Sequence, residues 1–264
     1  MTFPGTSAFL ACACLMSLAF AIQQERPACM ETSSELCTAD SAEALHMLQV
    51  KSGKTVEGVK RYAQWGQDKW LQDLYGDYKG FYLDIGSHDG EVLSNTQTLD
   101  ELGWKGVCVD PLPNHMENRS CKVYKTVLTD KSSVSGDDTV TFHDCTFSGT
   151  DHGDGGLSGI KGLGAYVETD KRKDCSLIQL RTQRLDHFLK TVEDMPYAID
   201  YMSLDVEGAE DMIMSYFPWE THCLKAITVE RPSPAMVNLL FAHHCRLNAF
   251  LGQDHAYKCT CKNR

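Results

Sequence analysis

Gly80-Phe81-Tyr82-Leu83-Asp84-Ile85-Gly86-Ser87-His88-Asp89-Gly90 is a short apolar run that breaks abruptly into acid, glycine and polar residues. Phe81, Tyr82, Leu83 and Ile85 suit a parallel strand buried on both faces. Gly86 and Gly90 allow a tight turn and close approach of the backbone to a ligand at the strand's carboxyl end. Apolar residues at helical spacing follow from Val92 to Leu102. The stretch therefore predicts strand, glycine turn and helix, the first unit of a nucleotide-binding α/β fold with helix N-terminal amides facing the ligand. The same turn occurs in α/β proteins with no ligand there, so its meaning depends on what accompanies it.

Two further stretches accompany it. Trp104-Lys105-Gly106-Val107-Cys108-Val109-Asp110 is a second apolar strand ending in an acid, 26 positions after Asp84. A carboxylate at that place accepts both ribose hydroxyls in dinucleotide and adenosyl sites; alternatively Asp110 only caps the turn before Pro111. Tyr197 to Glu210 holds a central strand over Ile199 to Leu204, and then Asp205, Glu207 and Glu210 where strand gives way to helix around Gly208. Gathering three carboxylates costs repulsion and raises at least one pKa, which suits a general base or a partner for a cationic ligand.

A chain of 264 residues with 42% hydrophobic residues can bury one sizeable core, so one domain of roughly 200 residues is expected, with terminal extras. The net charge of -11 argues against nucleic acid or an anionic membrane as the main partner. Ala8 to Ile22 is almost unbroken apolar sequence ending in the small-x-small pattern Ala19-Phe20-Ala21. It reads as a secretory signal peptide over residues 1–21, although no Lys or Arg precedes it. An uncleaved anchor or a buried helix is the alternative.

Ten cysteines remain after that segment, an even number that suggests disulfides in a secretory chain. Cys145 with Cys175 would staple a glycine-rich loop, whereas Cys108, inside an apolar strand, reads equally as a buried free thiol. Asn118-Arg119-Ser120 is a glycosylation sequon in such a compartment. Localisation in the endoplasmic reticulum or Golgi lumen, or outside the cell, is expected, with no stable membrane insertion once the signal is removed.

Residues 22–60 are mixed polar and read as a leader or linker. The main domain is expected over 61–258 and a cysteine-containing tail over 259–264. A leading helix is expected over Gln67 to Tyr75, strands near Val123 to Leu128 and Thr139 to His143, and a helix near Arg184 to Val192. Leu224 to Glu230 is a further strand ending in acid. A helix from Ser233 to His244 then precedes a closing strand pair turned through Gly252-Gln253-Asp254. Phe147 to Tyr166 is glycine-dense and reads as a loop over the site. His143, Asp144, Asp151, His152 and Asp154 cluster there without a recognised ligand spacing, so no metal is expected. Cys259 and Cys261 beside His243-His244-Cys245 read as disulfide partners in preference to a zinc cluster.

Taken together, Ala63 to Asp68, Phe81 to Gly90, Ser94-Asn95-Thr96, Gly103 to Gly106, Asp110-Pro111, Ser158-Gly159-Ile160, Ile199 to Glu210 and Thr228-Val229-Glu230 occur in an order that resembles the FkbM family of S-adenosylmethionine-dependent methyltransferases. The likeness covers roughly Tyr62 to Tyr257. It implies a class I, Rossmann-like α/β methyltransferase fold: a mainly parallel seven-stranded sheet, helices on both faces and an antiparallel last strand. It also implies methyl transfer from S-adenosylmethionine, usually to a hydroxyl oxygen.

Carried over, Asp84, Gly86, Ser87, His88, Gly90 and Asn95 form the cofactor turn and its surroundings, and Asp110 with Pro111 holds the ribose. The family more often has Glu at that second-strand acid. Asp205 and Glu207 match the acidic motif near the methionine end of the cofactor or the acceptor, and the base is sought among Glu207, Asp205 and then His88. A small molecule or a glycan is the expected acceptor. Two other readings stand beside this one. A secretory-pathway binding or cargo protein could keep the fold without catalysis, and a nicotinamide oxidoreductase is opposed by the missing G-x-G-x-x-G.

Overall fold

The computed structural model describes residues 58–131, 138–146, 157–164, 172 and 175–261. The expected signal and leader, Cys29, Cys37, Asp151, His152 and Asp154 lie outside the described residues. In chain order the elements are α1 (Gln67–Tyr75), β1 (Phe81–Ile85), α2 (Gln97–Glu101), β2 (Lys105–Asp110), a 3-10 turn (Met116–Asn118), β3 (Lys122–Lys125), β4 (Val127–Leu128), β5 (Thr139–Asp144), β6 (Gly159–Ile160), β7 (Ser176–Gln183) and α3 (Leu185–Thr191). They continue with β8 (Ala198–Ile199), β9 (Tyr201–Leu204), α4 (Glu210–Met214), β10 (Cys223–Leu224), β11 (Ala226–Glu230), α5 (Pro234–Ala242), β12 (Cys245–Leu251) and β13 (Asp254–Cys259).

Seven strands form the main sheet in the order β12-β13-β11-β9-β1-β2-β3. The expectation of a mainly parallel sheet gives way to a mixed one. β11, β9, β1, β2 and β3 pair in parallel, while β13 runs antiparallel to both its neighbours. The cause is local: β12 and β13 are joined by the two-residue turn Gly252-Gln253, which can only connect antiparallel strands.

Alternation along the central strands divides the core. Leu83, Ile85, Val107 and Val109 face one cluster with Leu185, Phe188, Met214 and Leu240 from α3, α4 and α5. Tyr82, Cys108 and Tyr201 face the other with Trp70, Leu71 and Leu99 from α1 and α2. Helices thus cover both faces. Side chains such as Leu83 and Met202 are fully buried, each contributing roughly 1.5–3 kcal/mol. A smaller sheet, β4-β7-β5-β6, takes in Gly159–Ile160 from the stretch expected as a loop over the site.

Three local expectations are corrected. The helix expected from Val92 is α2, which begins at Gln97. Upstream, the Asp89 carboxylate accepts the amides of Glu91 and Val92, and Leu93 bridges to Ala63 with a positive φ. The strand expected over Val123 to Leu128 divides into β3 in the main sheet and β4 in the smaller one. Cys108 is no free thiol: it is bonded to Cys121, alongside Cys145–Cys175, Cys223–Cys261 and Cys245–Cys259. The last two take up the cysteines weighed above as zinc ligands. Among the described residues no helix is long and apolar enough to cross a membrane.

Candidate functional site

Because β1, β2, β9 and β11 run in parallel, their carboxyl ends, Ile85, Asp110, Leu204 and Glu230, arrive at one edge of the sheet. A cavity of about 620 Å³ opens there. One side is made by Gly86, Ser87, His88, Asp110 and Pro111, the other by Asp205, Glu207, Glu230 and Arg231. Phe142 and Ile160 of the smaller sheet, with Leu157 and Ser158 just before β6, also line it.

The turn after β1 is satisfied from within. The Gly86 and Ser87 amides donate to the Val109 carbonyl, and that of His88 donates to Asp110 Oδ2 at 3.0 Å. These three turn amides are therefore engaged by β2 and its acid. Gly86, at φ 90°, is required by crowding, since a Cβ there would lie 1.7 Å from the Asp205 carbonyl oxygen. Gly90 lies behind the cavity wall, against Met116, and its carbonyl accepts from Arg119 Nη1.

Beneath the turn is a buried polar knot. Thr96 donates to Asp84 at 2.5 Å, and Arg119 donates to Thr96, to the Tyr82 hydroxyl and to Asp100, with which it forms an ion pair at 2.7 Å. Burial pushes the Asp84 carboxyl upward, opposed by the Arg119 charge and the Thr96 bond. Asp84 touches the cavity but is held chiefly by its neighbours. Two atoms on the wall are different: Ser87 Oγ and Asn95 Oδ1 are buried and have no hydrogen-bond partner. Asp110 accepts one amide on each oxygen, from His88 and Leu112, leaving each with a further lone pair. Burial raises its pKa to about 6, against those two bonds.

The acidic side differs from expectation in one member. Glu210 accepts the Val206 and Gly208 amides at 3.2 Å and caps the turn into α4, away from the cavity wall. Its place is taken by Glu230 at the end of β11, so the trio is Asp205, Glu207 and Glu230, with one oxygen of each within 4.8 Å of the others. Burial and then the Glu230 charge hold Asp205 well above the carboxylate range. Burial and Glu230 push Glu207 to about 7, against the opposing charges of Arg172 and Arg231. Glu207 Oε2 is buried without a hydrogen-bond partner, and the residue has a positive φ of 56°, as do His88 and Arg231 around the same cavity. Such backbone costs of order 1–3 kcal/mol per residue and concentrates where side chains must be aimed. Burial lowers the His88 pKa, opposed by the charge of Asp89, whose carboxylate lies 3.8 Å from Nδ1.

Sequence reasoning missed Glu230 and Arg231 as wall residues, and Arg119 as the knot beneath the turn. The strand order would have found Glu230, which ends a strand beside β9. Of the polar loop cluster, His143 lies in β5, and Asp144 accepts from Thr146 in a turn. Asn118 of the sequon is exposed.

No curated protein and no solved structure matches the chain. Residues 84–257, well over half of the chain, match the family described as Methyltransferase FkbM domain. That span begins at the acid of β1, takes in Asp110, Asp205, Glu207 and Glu230, and ends in β13, so the chain belongs to the FkbM methyltransferase family.

Proposed function

We propose that this family member is an S-adenosylmethionine-dependent O-methyltransferase with a class I, Rossmann-like fold, acting on a hydroxyl of a small molecule or glycan. The observation that carries the reading is one cavity with Asp110 on one side and three carboxylates on the other. The residues fit the cofactor. Asp110 has lone pairs for both ribose hydroxyls, Ser87 Oγ and Asn95 Oδ1 are buried polar atoms in need of partners, and His88 and Pro111 complete that wall. Asp205 faces the methionine end. The cofactor, when bound, supplies an electrophilic methyl carbon on a sulfonium.

The chain's own work is alignment and proton removal. Glu207, about half ionised at neutral pH, takes the acceptor hydroxyl's proton on Oε2 and later releases it to solvent. Burial and the Glu230 charge favour the protonated form of Asp205, so Glu207 is taken as the base, while His88 serves the cofactor wall. Phe142, Leu157 and Ile160 give the acceptor an apolar face and help exclude water. Asp205, Glu207 and Glu230 give this wall hydrogen-bonding groups suited to a neutral, hydroxyl-bearing acceptor.

Four disulfides suggest an oxidising compartment, in support of a secretory address with a signal over 1–21, a leader over 22–60 and the catalytic domain over 61–258. Calorimetry of the oxidised protein with S-adenosylmethionine and with NAD tests the reading. Binding of the first alone is expected, weakened about 10- to 100-fold by Asp110→Ala through loss of charged hydrogen bonds. Failure of the folded protein to bind S-adenosylmethionine would refute it.

A further inference from the structure

Arg172 is an arginine with only 5% of its surface exposed, outside every motif considered above. Its Nε donates to the Leu157 carbonyl at 2.6 Å and its Nη1 to the Leu163 carbonyl at 2.8 Å. One guanidinium thus ties both ends of the segment that supplies Leu157, Ser158 and Ile160 to the cavity wall. The third nitrogen, Nη2, is buried beside Gly159 and Gly164, the two glycines that also pack against Glu207. A Cβ on Gly159 would stand 2.6 Å from Nη2 and 3.4 Å from Glu207 Cβ; one on Gly164 would stand 2.2 Å from the Glu207 carbonyl oxygen and 3.5 Å from Nη2. The guanidinium and Glu207 therefore crowd the same two glycines, and a side chain at either would displace one or the other.

The guanidinium is itself clasped. The Arg172 carbonyl accepts the Cys175 amide at 3.2 Å, Cys175 is bonded to Cys145, and the Cys145 amide donates to Ser158 Oγ at 3.1 Å. The disulfide thereby joins the end of β5, the wall and the backbone of Arg172. We infer that Arg172, clasped by the Cys145–Cys175 disulfide, is a positioning residue that seats the Leu157–Gly164 wall and aims Glu207 into the cavity. The other charged and titratable groups facing Glu207 are Asp205 and Glu210 from its own segment and Glu230 and Arg231 from the end of β11. Arg172 and Arg231 are the cations that favour its ionised form. The catalytic consequence rests on the reading of Glu207 as base, but the geometry does not.

The test uses the full oxidised chain with carboxyl-labelled glutamate, the Glu207 signal being assigned with Glu207→Gln. Arg172→Met should raise the Glu207 titration midpoint by about one pH unit or more. It should also speed hydrogen exchange about tenfold at the Lys161 and Leu163 amides, which bond to Thr141 and Ile160. Arg172→Lys should restore the midpoint but not the protection, because an ammonium cannot bridge two carbonyls as the fork does. Cys145→Ser with Cys175→Ser should move both readouts in the direction of Arg172→Met, and with Arg172→Lys carries the test if Arg172→Met does not fold. An unmoved Glu207 midpoint in folded Arg172→Met, or unchanged readouts in the double cysteine variant, would overturn the inference. Loss of methyl transfer or cofactor binding with these shifts intact would strike the proposed function instead.

Discussion

Glu207→Gln should make the protein more stable and less active, and the gain should build as pH rises from about 4.5 to about 7 and hold above that. A carboxyl whose pKa moves from 4.5 to about 7 is disfavoured as an anion by roughly 3 kcal/mol, at 1.36 kcal/mol per pH unit. Glu207 keeps some contact with water, and screening reduces this to about 1.5 kcal/mol. The sign follows from linkage: the native carboxyl binds its proton more tightly than the unfolded one, so stability is present at low pH and is lost as pH rises from about 4.5 to about 7. The amide has no charge to desolvate, and so it gains about 1.5 kcal/mol at pH 8 and nothing at pH 5. For a domain of this size that is about 3–6 °C in Tm, read from melts of both proteins at the two pH values. Methyl transfer should fall by 10²–10⁴-fold, the usual worth of a general base. A variant that gains nothing at pH 8 relative to pH 5 would refute the account of Glu207 as a charge forced into a dry acidic corner.

Arg119→Met should cost about 3–5 kcal/mol in chemical denaturation, because it leaves the buried Asp84 and Asp100 without their cation; a loss under about 1 kcal/mol would show that the knot is dispensable. The whole protein should melt higher near pH 5 than near pH 8. Asp110, Asp205, Glu207, Glu230 and Asp254 all have native pKa values raised chiefly by burial, so protons stabilise the native state between about pH 4 and 7; a Tm that climbs over that range would contradict the assignment. The rate of methyl transfer should rise with pH through a single ionisation near 7, with that limb gone in Glu207→Gln; a flat profile from pH 6 to 8 would exclude Glu207 as base.

The central strands were legible because strands buried on both faces leave continuous apolar runs, and here each ends in an acid that marks the edge of the sheet. Phe81 to Asp84, Val107 to Asp110 and Tyr201 to Asp205 are such runs, and Asp110, Asp205 and Glu207 line the cavity at their ends. What could not be read depends on contacts between distant segments. Glu210 looked like a third site acid because spacing cannot tell a side chain turned back onto Val206 and Gly208 from one facing a ligand. The Val92 helix was shortened by Asp89, whose carboxylate draws the next two amides into a turn, and by the pairing of Leu93 with Ala63. Cys108 had the apolar neighbours of a buried thiol, and nothing in them reveals Cys121 on the chain beyond the 3-10 turn.

The arrangement of the four disulfides bears on how the chain matures as it emerges from the ribosome. Cys108–Cys121 and Cys145–Cys175 are closed by successive cysteines, so pairing in order of synthesis gives the native bonds. The last two are nested, with Cys245–Cys259 inside Cys223–Cys261. Successive pairing would join Cys223 to Cys245, a mistake that only exchange can undo once Cys259 and Cys261 have appeared. Since β13 enters the main sheet between β11 and β12, that exchange coincides with completion of the sheet. Among the described residues, Cys108–Cys121 and Cys145–Cys175 can thus close as soon as their own segments exist, whereas the nested pair is tied to the last strands of the sheet.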